Sequence, residues 1–130
     1  MNGLHLIADL HDCHCAPGLL LDAAGLEAYC VDACQSHGLT VVGRLFHAFR
    51  DAQGQPAGVT GTVVLAESHL AIHTWPEIGA VTLDVYVCNF SGDNSNRAHA
   101  LFDEVIARFA PDFLGKKEVA RGHLGSTLAD

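Results

Sequence analysis

Apolar and polar residues alternate loosely over residues 4–10, which predicts a first strand. Residues 9–18 are polar and end in Pro17-Gly18, the composition of a loop closed by a turn. The period then changes. Over residues 22–37 the apolar positions are Leu26, Tyr29, Cys30, Ala33 and Cys34, which is the stripe of an amphipathic helix. Asp22 is placed to cap that helix and Gly38 to stop it. Residues 39–49 and 59–66 are rich enough in β-branched and aromatic side chains to be strands, with residues 51–58 as their connection. Residues 70–74 and 81–88 are further strands, split by Trp75-Pro76-Glu77-Ile78-Gly79. In residues 81–88, Val81, Leu83, Val85 and Val87 share one face, and Thr82, Asp84, Tyr86 and Cys88 share the other. Residues 94–109 predict a second helix whose stripe is Ala98, Leu101, Phe102, Val105, Ile106 and Phe109. Residues 118–122 suggest a short edge strand, and residues 125–130 a frayed end.

Two helices with one apolar face each and a strand-rich middle predict an α/β fold, a two-layer sandwich. Strands that arrive in sequence through short connections make the sheet mostly antiparallel. The helices cover one face. The other face then needs a partner, which points to a homodimer with sheets back to back in an αββα arrangement. A length of 130 residues suits a single domain, and so small a domain gains from a partner.

Composition narrows the functional classes. A net charge of −8 argues against nucleic acid and is compatible with a cationic substrate. No segment is apolar for long enough to span a membrane, and residues 1–6 lack the pattern of a signal peptide. Five cysteines are an odd number, so free thiols in a reducing, cytoplasmic compartment are expected.

The candidate chemistry is concentrated in Glu67-Ser68-His69-Leu70-Ala71-Ile72-His73-Thr74-Trp75-Pro76-Glu77, followed by Cys88. A serine hydroxyl is a weak nucleophile without a base nearby. On a strand His69 faces away from Ser68, and His73 lies five residues on. Read from the residues alone, the segment is either a strand end with solvated polar groups or a site completed by Thr60 or Cys88. A cysteine thiol is mostly protonated at neutral pH, which suits a proton donor better than a standing nucleophile. The run His11-Asp12-Cys13-His14-Cys15 offers zinc-type ligands, but adjacent ligands close a tetrahedron poorly and no second ligand pair completes it. No metal site is expected.

The segment resembles the self-cleaving site of the short prokaryotic, pyruvoyl-dependent S-adenosylmethionine decarboxylases. The likeness covers most of the chain. It runs from Gly3-Leu4-His5-Leu6-Ile7-Ala8-Asp9-Leu10 through Phe46-His47-Ala48-Phe49 and Gly58-Val59-Thr60-Gly61. It is densest from Glu67-Ser68-His69 to Glu77, and it ends at Asp84-Val85-Tyr86-Val87-Cys88. The resemblance implies that Ser68 attacks the carbonyl of Glu67, and that the ester so formed eliminates. Residues 1–67 would become a β chain, and residues 68–130 an α chain capped by a pyruvoyl group made from Ser68. That group would form a Schiff base with the substrate amine and act as the electron sink for decarboxylation. His73 matches the residue for proton transfer in processing. Thr60 matches a supporting hydroxyl that is usually serine, Cys88 the proton donor, Phe49 an aromatic that stacks on adenine, and Glu77 an acidic residue of the substrate site. The implied product is decarboxylated S-adenosylmethionine, the aminopropyl donor for spermidine, and the implied assembly is a dimer of processed protomers.

Three features depart from the family pattern. Ala80 stands where tyrosine is usual, Asn89 follows Cys88 where glycine is usual, and the connection at residues 51–58 is long. None removes a group needed for processing, but all bear on the substrate pocket. Arginine or ornithine decarboxylation on the same scaffold is the first alternative. An unprocessed, non-catalytic binding or regulatory module is the alternative of another class.

Overall fold

A computed structural model describes residues 2–89 and 92–122. Strand β1 (Gly3–Cys13) leads through a one-turn helix α1 (Gly18–Leu21) into helix α2 (Ala23–Ser36). Strands β2 (Val41–Arg50), β3 (Pro56–Leu65), β4 (Ser68–Trp75) and β5 (Ala80–Cys88) follow, with a single 3-10 turn at Pro76–Ile78 between the last two. Helix α3 (Ser95–Phe109) and strand β6 (Pro111–Arg121) complete the chain. The six strands form one sheet in the order β2-β3-β4-β5-β1-β6, and every neighbouring pair is antiparallel.

The two-layer α/β sandwich expected from the pattern is the observed architecture. Val81, Leu83, Val85 and Val87 of β5 are buried against the helices, as are Leu6, Ala8 and Leu10 of β1 and Leu70 and Ile72 of β4. All six residues of the α3 stripe are buried. In α2 the buried set is Leu26, Cys30, Val31, Ala33 and Cys34. Tyr29 sits at the edge of that set, where its hydroxyl donates to Glu104 Oε2 at 3.3 Å and Arg108 lies 4.9 Å over its ring. Asp22 caps α2 by accepting from the Ala24 N–H at 3.1 Å. Gly38, at φ +79°, ends it, and Leu39 N–H closes back on Cys34 O.

Several boundaries differ from expectation. Strand β1 continues to Cys13, three residues past the predicted strand end at Leu10, because β6 gives it a second partner as far as Cys13↔Pro111. Strand β6 itself is 11 residues long and begins at Pro111 rather than near residue 118. As an edge strand with an almost wholly exposed surface, it needs no apolar alternation to pair. Helix α1 occupies the end of the predicted turn, and β3 begins at Pro56 inside the predicted connection. The end predicted to fray, residues 125–130, lies outside the described residues.

One buried polar side chain holds the layers in register. Thr74 Oγ1 donates to Leu20 O and accepts from Val59 N–H, both at 2.8 Å, so a single hydroxyl ties α1, β3 and β4. Gly61 faces Phe46 across the β2–β3 pair, and a Cβ there would overlap the ring. No helix among the described residues is long and apolar enough to cross a membrane.

Candidate active site

The β3–β4 hairpin fixes the position of Ser68. Leu65 pairs with Ser68, so Ala66 and Glu67 alone make the turn. Glu67 has φ +67°, a left-handed conformation that costs a residue with a side chain roughly 1–2 kcal/mol. The turn is held from outside by Ala66 N–H donating to Thr40 O at 2.9 Å. Ser68 Oγ donates to Ala66 O at 3.1 Å, which keeps the hydroxyl folded back over the turn. The Glu67–Ser68 peptide bond therefore joins a strained residue to a hydroxyl already turned toward the preceding main chain.

Strand alternation divides the other candidates between the two faces. Ser68 shares the helix side of β4 with Leu70 and Ile72, whereas His69 and His73 look out from the open side. Cys88 ends β5 on that open side and is 6 % exposed. His69 pairs with Tyr86, so Ser68 and Cys88 lie at the same end of adjacent strands.

His73 is elsewhere. It pairs with Thr60, and its Nδ1 is hydrogen-bonded to the Thr60 hydroxyl. Five residues of strand separate it from Ser68, about 17 Å at roughly 3.3 Å per residue. Phe49 stands opposite Gly58 near the same end, packed edge-on to His47 with ring centroids 4.7 Å apart. Trp75 packs on His73 at 6.0 Å, and Glu77 is in the 3-10 turn just beyond. One chain thus carries two groups at opposite ends of its sheet. One comprises Glu67, Ser68 and Cys88. The other comprises Phe49, Thr60, His73 and Glu77.

Between them lies a polar network that the linear pattern did not reveal. His5 Nε2 and His69 Nε2 both bond Asp84 Oδ1, at 3.1 and 3.0 Å. Arg121 Nη1 donates to His5 Nδ1 at 3.1 Å and lies 4.9 Å over the Tyr86 ring. The His5, His69 and Asp84 ligand atoms lie within 4.8 Å of one another, close enough for a metal ion. Arg121 decides against that use. A guanidinium donating to Nδ1 leaves the imidazole proton on Nε2, where a metal would need the lone pair. The three side chains are joined by hydrogen bonds instead. Their distances in sequence, 79 and 15 residues, explain why no motif announced them.

Among the described residues, the cysteine-rich run gathers no metal-ligand set. Cys13 and Cys15 are half-buried, and burial, helped by the neighbouring Cys15 and Asp12 charges, pushes the Cys13 thiol up to about 11. His14 instead pairs with Asp112 at 2.8 Å. Burial also raises Cys34, to about 12, and raises Cys30, so both act as core thiols.

Known proteins share this architecture. The solved adenosylmethionine decarboxylase of Aquifex aeolicus VF5 superposes with a TM-score of 0.76 at 33% identity, over 92% of this chain and 90% of that one. Fold and hairpin thus define the class, a decarboxylase-type two-layer sandwich. Residues 4–122 match the family described as S-adenosylmethionine decarboxylase, and the chain belongs to that family. Relatives named S-adenosylmethionine decarboxylase proenzyme include one from Picrophilus torridus, 38% identical over 92% of this chain and 84% of its own length. Another, from Pelotomaculum thermopropionicum, is 37% identical over 96% of this chain and 90% of its own length.

Proposed function

We propose that this chain is a proenzyme that cleaves itself between Glu67 and Ser68 and then decarboxylates S-adenosylmethionine. The observation that carries the reading is the left-handed Glu67 joined to Ser68 in a two-residue turn, in a member of this family. The residues present fit a pyruvoyl group derived from Ser68: a hydroxyl next to a strained peptide bond, at a strand end whose neighbouring strand ends in a thiol. Once formed, such a group supplies the electron sink that stabilises the carbanion left by departing carbon dioxide.

The chain's own residues supply the rest. Cys88, nearly buried at the neighbouring strand end, is suited to return a proton to the substrate α-carbon. Thr60 and His73 are hydrogen-bonded to each other and are suited to move a proton during processing. Phe49 offers a half-exposed ring for an adenine base, and Glu77 an exposed carboxylate for a ribose diol or a sulfonium.

The distance between the two groups supports a composite site. An isologous twofold axis across the open face of the sheet would lay the Ser68 end of one chain over the His73 end of its partner. Leu45, Phe49, Val64, Trp75, Phe113 and Val119 are exposed on that face, an apolar surface suited to burial against a second copy. Five free cysteines agree with a reducing, cytoplasmic setting.

Intact mass of the purified protein tests the cleavage. Two fragments, residues 1–67 and a 68–130 chain that begins in a carbonyl, are expected, with Ser68→Ala remaining whole. A wild-type chain that stays intact after long incubation would leave a non-catalytic module as the reading. Carbon dioxide release from S-adenosylmethionine, arginine and ornithine then identifies the substrate, and turnover of the amino acids alone would overturn the S-adenosylmethionine assignment.

A further inference from the structure

Behind the Ala66–Glu67 turn, on the helix side of the sheet, is a cavity of about 190 Å³. Its walls are the α2–β2 connection from Gly38 to Thr40, the turn itself, and Asn94 and Arg97 at the start of α3. Among the described residues, Arg97 is the only cationic side chain in that lining, and Glu67 shares it. The arginine is held in place. Its Nη1 donates to Asn94 Oδ1 at 3.0 Å, and its stem passes so close to Gly38 that a Cβ there would stand 3.3 Å from Nε. Asn94 Nδ2 donates in turn to Cys88 O at 3.4 Å, so the guanidinium, the turn and the end of β5 form one corner.

We propose that Arg97 receives the α-carboxylate that Glu67 acquires during self-cleavage, and so accelerates the elimination step. This rests on Glu67–Ser68 being the processed bond. In the first step Ser68 Oγ attacks the Glu67 carbonyl carbon. The C–N bond breaks and the hydroxyl proton passes to nitrogen, which leaves a neutral ester and a free amine. In the second step a base removes the Ser68 α-proton. That electron pair forms the Cα–Cβ double bond, and the Cβ–Oγ bond breaks with its own pair remaining on oxygen. Oγ thus leaves with Glu67 as a carboxylate, and the enamine on residue 68 tautomerises and is hydrolysed by water with loss of ammonia. Negative charge persists on the Glu67 main chain only from the second step. A guanidinium fixed in the same cavity stabilises it there and gives little to the first step.

The test follows wild-type and Arg97→Gln chains by intact mass, with and without hydroxylamine, which opens an ester at residue 67 to a hydroxamate. Arg97→Gln is expected to accumulate full-length but hydroxylamine-cleavable chain and to release the 68–130 fragment about 10- to 100-fold more slowly. Arg97→Lys, which keeps the charge, is expected to recover most of the rate, and thermal unfolding of both variants reports whether the fold is retained. Wild-type speed in Arg97→Gln overturns the proposal. So does a folded Arg97→Gln that stalls without a hydroxylamine-sensitive population, or one that Arg97→Lys fails to improve upon. A wild-type chain that is itself intact and inert to hydroxylamine removes the processed bond, and the proposal with it.

Discussion

Two residues of β4 and its turn do opposite things with local energy. Glu67 holds a conformation that disfavours its side chain, at the one bond where breaking the chain would relieve it. Thr74, the one buried polar side chain among the described residues, satisfies a main-chain donor and a main-chain acceptor with a single hydroxyl. Valine at that position keeps the shape and removes both bonds, leaving Val59 N–H and Leu20 C=O without a partner. Thr74→Val is therefore expected to lower stability by about 1–3 kcal/mol, read as a shifted midpoint in chemical denaturation. An unchanged midpoint would mean that the two main-chain groups find other partners. The sequence made Ser68, His73 and Cys88 conspicuous because their spacing is dense and chemically unusual. Thr74, in the same segment, gave no sign of its structural task, since a threonine in a strand reads as an ordinary strand residue.

At the scale of elements, legibility followed periodicity. Helix α3 and strand β5 carry single clean stripes, and both lie where the pattern puts them. Strand β6 carries none, because its first half, Pro111-Asp112-Phe113-Leu114-Gly115-Lys116-Lys117, is exposed and pairs through its main chain to β1. Asn89, a departure from the family pattern, has a structural use here. Its carboxamide accepts from Asn94 N–H at 2.8 Å and donates to Ser95 Oγ at 3.1 Å, tying the end of β5 to α3. The far end of the β1–β6 ladder is tied by His14 and Asp112. The hydrogen bond that His14 donates to Asp112, then the charge of that carboxylate, raises the imidazole above its ordinary 6.5. A raised imidazole stabilises the fold fully below the unfolded value, and that contribution is lost as pH rises through the folded value. An NMR titration of His14 should place its midpoint above 6.5 in the native chain. Asp112→Asn should lower it, and any stability difference between the two proteins should fade on the alkaline side. A midpoint indifferent to Asp112→Asn would mean that the pair does not persist in solution.

For the whole molecule, the decisive fact is that the residues proposed for processing do not meet within one chain. Ser68 lies at one end of β4, and His73 and Thr60 lie about 17 Å along it at ~3.3 Å per residue. Linear spacing concealed this, because five residues in a turn or helix would have brought the same side chains together. In the proposed twofold pairing of open sheet faces, the strand end that carries Glu67 and Ser68 of one protomer would meet His73 of the other, and this gives a test by complementation. Ser68→Ala alone lacks the nucleophile at both sites, and His73→Ala alone lacks the proton-transfer residue at both. Neither is expected to cleave efficiently. Coexpressed with different tags, they form mixed dimers in which one site is doubly defective. The other joins an intact Ser68, from the His73→Ala chain, to an intact His73, from the Ser68→Ala chain. Cleavage should therefore reappear only in the His73→Ala chains of isolated mixed dimers, and intact mass of the two tagged species reads it directly. If the isolated mixed dimer stays as uncleaved as its parents, each site is built within a single chain, and His73 must travel the length of the strand to serve it. Such a movement would break the β3–β4 ladder that pairs His73 with Thr60, so the composite arrangement is the one that leaves the observed sheet intact.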